Sequence, residues 1–199
     1  MDCYPYFAFS TSLGATTYDP GWLERYHCDY SVLEFCEGKY KGQRATAETF
    51  AEERREHPDI LTVCYVMQED QVRMALGHPA VMLGSDGITN EGQGHPRAAG
   101  AFPRFLAEFS RKGDISLYDA IEKITALPAD RLGLRNKGRL NVGADADITI
   151  FDYETVRDRA TFEEPALAPV GIEYVLIGGE IALEKGRVVK DHCGKSVRM

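Results

Sequence analysis

Along the chain, the apolar positions fall into short β-branched or aromatic runs, two stretches of helical spacing, and a glycine-punctuated tail. Residues 3 to 13 are aromatic and β-prone and run into Gly14, which predicts a strand and the loop after it. Residues 15 to 58 are mixed and end in a charged run, Glu52-Glu53-Arg54-Arg55-Glu56. They predict helices joined by loops. Ile60 to Val66 is a β-branched run suited to a buried strand. Glu69-Asp70 opens a helix that runs through Leu76 and is ended by Gly77 and Pro79. Val81-Met82-Leu83 predicts a second buried strand, with Gly84-Ser85-Asp86-Gly87 as its turn. Strand, helix and strand in this order read as a βαβ unit, which implies that the two strands are parallel.

Phe102, Phe105, Leu106 and Phe109 keep the i, i+3, i+4, i+7 spacing of an amphipathic helix. A second helix starts at the N-cap candidate Ser116, with Asp119 three residues on. Its apolar face is Leu117, Ala120, Ile121 and Ile124, and Pro128 is expected to stop it. Both stripes read as core packing. The pattern changes after about residue 133. Gly138 to Phe151 predicts strand and turn, and Ile172–Ile177, Gly178-Gly179 and Glu180–Leu183 spell a hairpin. Lys185-Gly186 then turns the chain into Arg187-Val188-Val189. An α/β part is therefore followed by an antiparallel β unit, and no internal repeat is present.

Composition narrows the function. The 199 residues are 44% hydrophobic and 27% charged, as in a folded globular chain rather than a disordered one. The net charge of -8 disfavours a nucleic-acid partner, which asks for a basic patch. No run approaches the ~20 apolar residues of a membrane span, and Met1-Asp2-Cys3 lacks a basic leader. The five cysteines, Cys3, Cys28, Cys36, Cys64 and Cys193, include no Cys-x-x-Cys pair, so free thiols in the cytoplasm are expected.

Two residues stand out chemically. Asp86 follows a short hydrophobic strand, and in a parallel α/β barrel such strand ends deliver side chains to the active site. A carboxylate there can take a proton from a hydrolytic water and pass it to a leaving nitrogen. From Ser-Asp-Gly alone a turn aspartate is also open. Arg97 ends a Gly- and Pro-rich loop and can bind a carboxylate in bidentate fashion, although a surface ion pair is the competing reading. His95 reads as a structural loop histidine. His27, His57, His78 and His192 are scattered, and nothing shows zinc-ligand spacing.

Several segments in order resemble the N-acyl-D-amino-acid deacylase (D-aminoacylase) family of amidohydrolases. They are Asp2-Cys3-Tyr4-Pro5-Tyr6, Gly84-Ser85-Asp86-Gly87, His95-Pro96-Arg97 and Phe102-Pro103-Arg104-Phe105-Leu106. Leu127-Pro128-Ala129-Asp130-Arg131-Leu132-Gly133-Leu134, Gly138-Arg139-Leu140, Gly143-Ala144-Asp145-Ala146-Asp147, Phe151-Asp152 and Gly171-Ile172-Glu173-Tyr174-Val175 follow.

The resemblance implies an α/β fold: the C-terminal part of a (β/α)8 barrel plus part of a small β-sandwich built from both chain ends. Residues 1–132 would hold late barrel strands and helices, with a lid-like insertion at about 15–58. Residues 133–199 would be the C-terminal share of the sandwich. It implies zinc-dependent hydrolysis of N-acyl-D-amino acids, with Asp86 catalytic and close to the metal. Arg97 would clamp the substrate carboxylate, and Tyr4, Tyr6 and Ser10 would lie in the substrate-binding segment. The family's His-x-His pair and remaining zinc ligands are absent, and Cys3, Cys28 and Cys64 do not sit where the ligand cysteine would. The expectation is a fragment whose zinc is held only in the complete enzyme, and which self-associates or pairs with an N-terminal half. An open run of barrel strands leaves unpaired edges and apolar faces. The alternatives are a non-catalytic subunit acting only through association and a self-sufficient hydrolase with a rebuilt site.

Overall fold

The computed structural model describes residues 1–197. Two short parallel strands form its inner element, β1 (Asp2–Cys3) and β5 (Met82–Leu83), with Asp2 opposite Met82 and Cys3 opposite Leu83. Their ends release two of the segments singled out in the sequence, Tyr4-Pro5-Tyr6 and Gly84-Ser85-Asp86. The strands lie so close that a Cβ on Gly84 would meet Asp2 Oδ2 at 2.6 Å, which excludes a larger residue there.

Everything between β1 and β5 is one long crossover. Strands β2 (Phe9–Ser12), β3 (Leu33–Phe35) and β4 (Leu61–Cys64) form an antiparallel sheet in the order β2-β4-β3. Helices α1 (Trp22–Tyr26) and α2 (Ala47–Glu56) accompany it, and Thr46 caps α2 in a reciprocal capping box with Thr49. This portion has its own aromatic core of Leu13, Tyr18, Trp22, Leu33, Phe35 and Phe50, in which Tyr18 meets Trp22 edge-on at 5.2 Å.

Three expectations are corrected here. The run from Ile60 does form a buried strand, but β4 pairs antiparallel with β2 and β3. It is not the first half of a parallel βαβ unit with β5. A fully buried four-residue run reveals burial, not its partner, and the partners lie about 50 residues earlier and 30 residues earlier in the chain. Strand β3 also lies inside the stretch read as helices and loops. Residues 3 to 13 are two strands rather than one, broken around Pro5.

Helix α3 (Glu69–Gly77) covers the parallel pair, and its Val72 and Leu76 join Leu83, Phe105, Leu106, Phe109 and Ala120 in a second core. The predicted stripe Phe102, Phe105, Leu106, Phe109 lies in α4 (Arg97–Phe105) and the single π-helical turn Leu106–Ser110 that continues it. Phe102 faces outward and the other three are buried. Helix α5 (Leu117–Ile124) is capped as expected, Ser116 Oγ accepting from the Asp119 N–H at 3.1 Å. Its Lys123 turns inward and donates to the carbonyls of His78 and Val81, which braces the entry to β5.

Pro128 does not end α5. The helix stops at Ile124 because Thr125 leaves helical geometry (φ -133°, ψ -83°) and its hydroxyl donates to the Ile121 carbonyl at 2.6 Å. Pro128 sits in the first turn of α6 (Ala126–Arg131), where its missing N–H has no partner to lose.

Hairpin β6 (Thr89–Asn90) and β7 (Gln93–Gly94) precedes α4, and beyond α6 a four-stranded antiparallel sheet closes the chain in the order β11-β10-β9-β8. Its strands are β8 (Ile148–Phe151), β9 (Ile172–Ile177), β10 (Glu180–Glu184) and β11 (Arg187–Val188). The Gly-Gly turn forms as read, both glycines adopting positive φ (59° and 86°). Phe151 and Ile172 reach the second core, which joins this sheet to the α/β part. Elsewhere β9 is only half-buried along its length, and Ile150, Ile181 and Val188 are exposed. No helix among the described residues is long and apolar enough to cross a membrane.

Candidate active site

The turn after β5 and the start of α4 are packed directly on each other: a Cβ on Gly87 would fall 2.6 Å from Ala98 Cα. That contact brings two residues eleven positions apart into one site. Arg97 occupies the first turn of α4, with its side chain 3% exposed, and Nη2 forms an ion pair with Asp86 Oδ2 at 2.9 Å. Nη2 also donates to the Ser10 carbonyl at 3.1 Å, and the guanidinium carbon lies 4.5 Å from the centre of the Tyr4 ring.

The other end of the pair is open. Asp86 is 63% exposed and adopts φ 46°, the left-handed region that aspartate tolerates better than most residues. Arg97 Nε and Nη1, by contrast, are buried and have no hydrogen-bond partner. Donors left unpaired in a buried cation cost about 1–3 kcal/mol each, so the guanidinium has hydrogen-bonding capacity that the fold does not use.

The pair borders a concavity of about 480 Å³. Phe9, Ser10, Thr11 and Ser12 from β2 line it, with Thr17, Tyr26, Leu61 and Ile88. The walls are apolar rings and chains interleaved with hydroxyls, a surface suited to a small organic molecule with a few fixed polar groups.

Of the five residues expected to act together, four meet here. Asp86, Arg97 and Ser10 border the concavity, and Tyr4 lies beneath the guanidinium. Burial pushes the Tyr4 hydroxyl up to about 12, so it is a neutral donor, directed at Met67 Sδ at 3.3 Å. Tyr6 is engaged elsewhere. Its hydroxyl donates to Asp158 Oδ2 at 3.1 Å, and its pKa is raised by burial and by the neighbouring Asp158 charge. Arg104 lies over the same ring at 4.7 Å and pairs with Asp158 at 3.5 Å.

Two participants, Asp158 and Phe162, escape the sequence pattern, and a third, His95, enters as the structural histidine expected from it. His95 is wholly buried, and burial, with the Arg97 charge next, lowers its pKa to about 3. Asp158 and Phe162 arrive from beyond β8. Phe162 meets His95 and Tyr65 edge-on, at 5.0 Å in each case. Nothing in local sequence pattern marks these two, since their contacts span more than fifty residues. The His-Pro-Arg run was the one available signal for His95.

Among the described residues, no three side chains of His, Cys, Asp and Glu converge as a metal site would require. The residues present therefore do not by themselves fit a zinc ion. All five cysteines are free thiols, and burial raises the pKa of Cys36 and Cys64 to about 12.

Comparison with known proteins places this arrangement. An amidohydrolase family model matches residues 47–183. The chain is similar to an N-acyl-D-glutamate deacylase from Alcaligenes xylosoxydans xylosoxydans, 46% identical over 118 residues, 59% of this chain and 24% of that protein. It is also similar to a D-aminoacylase of the same organism, 32% identical over 205 residues, 98% of this chain and 41% of that one. Among solved structures, the N-acyl-D-glutamate deacylase from Bordetella bronchiseptica, complexed with zinc and a phosphonate mimic of the tetrahedral intermediate, superposes with a TM-score of 0.78 at 33% identity. That match covers 94% of this chain and 41% of the other. The chain thus spans at most about two fifths of the length of these relatives.

Proposed function

The chain belongs to the D-aminoacylase branch of the amidohydrolase family, and on that premise we propose that it carries the proton-transferring and substrate-anchoring part of an N-acyl-D-amino-acid deacylase site. One observation carries the reading: a buried guanidinium with two unpartnered nitrogens stands 2.9 Å from an exposed carboxylate at the edge of a concavity.

Arg97 receives the α-carboxylate of the substrate on its guanidinium, which fixes the amide relative to Asp86. Asp86 takes a proton from a water as its oxygen forms a bond to the acyl carbon and the carbonyl pair moves onto oxygen. It then gives that proton to the nitrogen as the C–N bond breaks. The remaining acid proton moves to the amine, and a carboxylate and a free amino acid leave. Ser10 presents its main-chain carbonyl to Arg97 and its side chain to the concavity, and Tyr4 carries the guanidinium on its ring face. Zinc, in this reading, is held by groups beyond this chain, on a further segment or a partner polypeptide.

The same reading assigns residues 1–132 to late barrel strands and helices and about 15–58 to a lid. Residues 133–199 become a share of a β-sandwich. The separate aromatic core of the β2-β4-β3 portion supports the reading of this insertion as a unit distinct from the barrel part. The half-exposed faces of the C-terminal sheet support the incomplete sandwich.

Titration of the isotope-labelled chain tests the anchoring. N-Acetyl-D-leucine should shift the Arg97 Nε–H signal, and the amide N-(3-methylbutyl)acetamide, which lacks the carboxylate, should not. Equal binding of both compounds, or of neither, overturns the assignment of Arg97.

A further inference from the structure

We propose that His95 is the positioning residue that holds Arg97 in register with the Ser10 strand, acting as a two-way hydrogen-bonded joint. The proposal rests on Arg97 being the carboxylate anchor and adds a residue that never touches the substrate.

The geometry is specific. His95 Nδ1 accepts the main-chain N–H of Arg97 at 3.0 Å. Its Nε2 lies 3.1 Å from the Ala8 carbonyl, two residues before Ser10. A carbonyl only accepts, so Nε2 carries the proton and Nδ1 is bare. One neutral tautomer satisfies both bonds. The Ser10 carbonyl in turn accepts from Arg97 Nη2, so a closed circuit runs from His95 to the segment of Ala8 and Ser10, to the Arg97 side chain, and back through the Arg97 main chain.

The ring is locked in place. Tyr6 and Phe162 meet it edge-on, both at 5.0 Å, and Tyr4 is tilted against it at 6.0 Å. With no exposed surface and both nitrogens used, the imidazole has no valence left for a metal or a proton shuttle. What it can do is fix where the helix carrying Arg97 begins. The N-cap of α4 is Pro96, which offers no side-chain bond, so the imidazole replaces the missing capping acceptor at the first helical N–H.

Asparagine and glutamine separate this role from simple core filling. Asparagine places its oxygen near the position of Nδ1 and keeps the acceptor for Arg97. Glutamine places its nitrogen near Nε2 and keeps the donor to Ala8 but loses that acceptor. In the full chain, His95→Gln should weaken N-acetyl-D-leucine binding roughly tenfold, the order expected for a lost buried acceptor, while His95→Asn keeps most of the affinity. In the wild-type chain, NMR should detect a scalar coupling across the hydrogen bond from Arg97 N to His95 Nδ1. If Gln and Asn weaken binding equally, if neither weakens it, or if the coupling is absent, the role of His95 is overturned. If the wild-type chain fails to bind the ligand at all, the anchor reading of Arg97 falls first and takes this one with it.

Discussion

Arg97 Nη2 pairs ionically with Asp86 Oδ2 at 2.9 Å across a boundary between two environments, the guanidinium 3% exposed and the carboxylate 63% exposed. The exposed partner adds little stability, because solvent screens it. The buried partner keeps two donors unsatisfied. Such a pair contributes little to the fold and fits the anchoring role proposed for Arg97.

Arg97→Met follows from that imbalance. It removes a buried charge and two orphaned donors and leaves Asp86 in water. Thermal unfolding should show unchanged or increased stability, by about 1–2 kcal/mol, as when buried ions are replaced by apolar side chains. Carboxylate binding should vanish. A large loss of stability would show that the guanidinium serves the core.

His95 sets a pH dependence. In the unfolded chain a histidine takes a proton near pH 6.5, while in the folded chain burial and the Arg97 charge hold its pKa near 3. Below about pH 6.5 the unfolded state therefore binds the extra proton, and stability falls as pH falls towards 3. The slope of this contribution approaches 1.4 kcal/mol per pH unit. Urea unfolding between pH 4 and 7 should show it, and His95→Asn should remove that share of the slope. An identical pH profile in the variant would contradict the neutral buried ring.

Gly100→Ala should have the opposite sign to the usual helix substitution. Within a helix, alanine gains about 1 kcal/mol over glycine. Here the added Cβ would lie 2.2 Å from the Tyr6 hydroxyl and 3.0 Å from Asp158 Cβ. Destabilisation of about 1–3 kcal/mol is expected from overpacking, together with loss of the Tyr6–Asp158 bond. A more stable variant would show that this contact is slack.

The C-terminal sheet predicts association. Cross-strand neighbours Ile148, Leu176 and Ile181 share one face, and Ile150, Ile181 and Val188 are exposed. Sedimentation at micromolar concentration should show species larger than one chain, reduced by Ile150→Lys. A monomer with a cooperative melt would contradict this.

The sequence made some of this visible and hid the rest for physical reasons. The Ser116 cap and the Gly178-Gly179 turn depend on local geometry, which short motifs encode, whereas a shared site for Asp86 and Arg97 comes only from the family resemblance. The partner of Ile60 to Val66 does not. A run buried on both faces carries no trace of which strand lies beside it, so a parallel unit was expected where an antiparallel sheet formed. Pro128 was read as a stop because proline breaks helix interiors, but the break came from Thr125, three residues earlier. Tyr6 was grouped with the site by sequence position, and only the fold shows its hydroxyl bonded to Asp158.

The most direct test is hydrolysis of N-acetyl-D-amino acids by this chain, alone and together with the zinc-binding portion of a D-aminoacylase relative. Restored activity that Asp86→Asn lowers by at least about a hundredfold is predicted, the usual scale of acid–base catalysis. Restored activity that Asp86→Asn leaves intact would contradict the account.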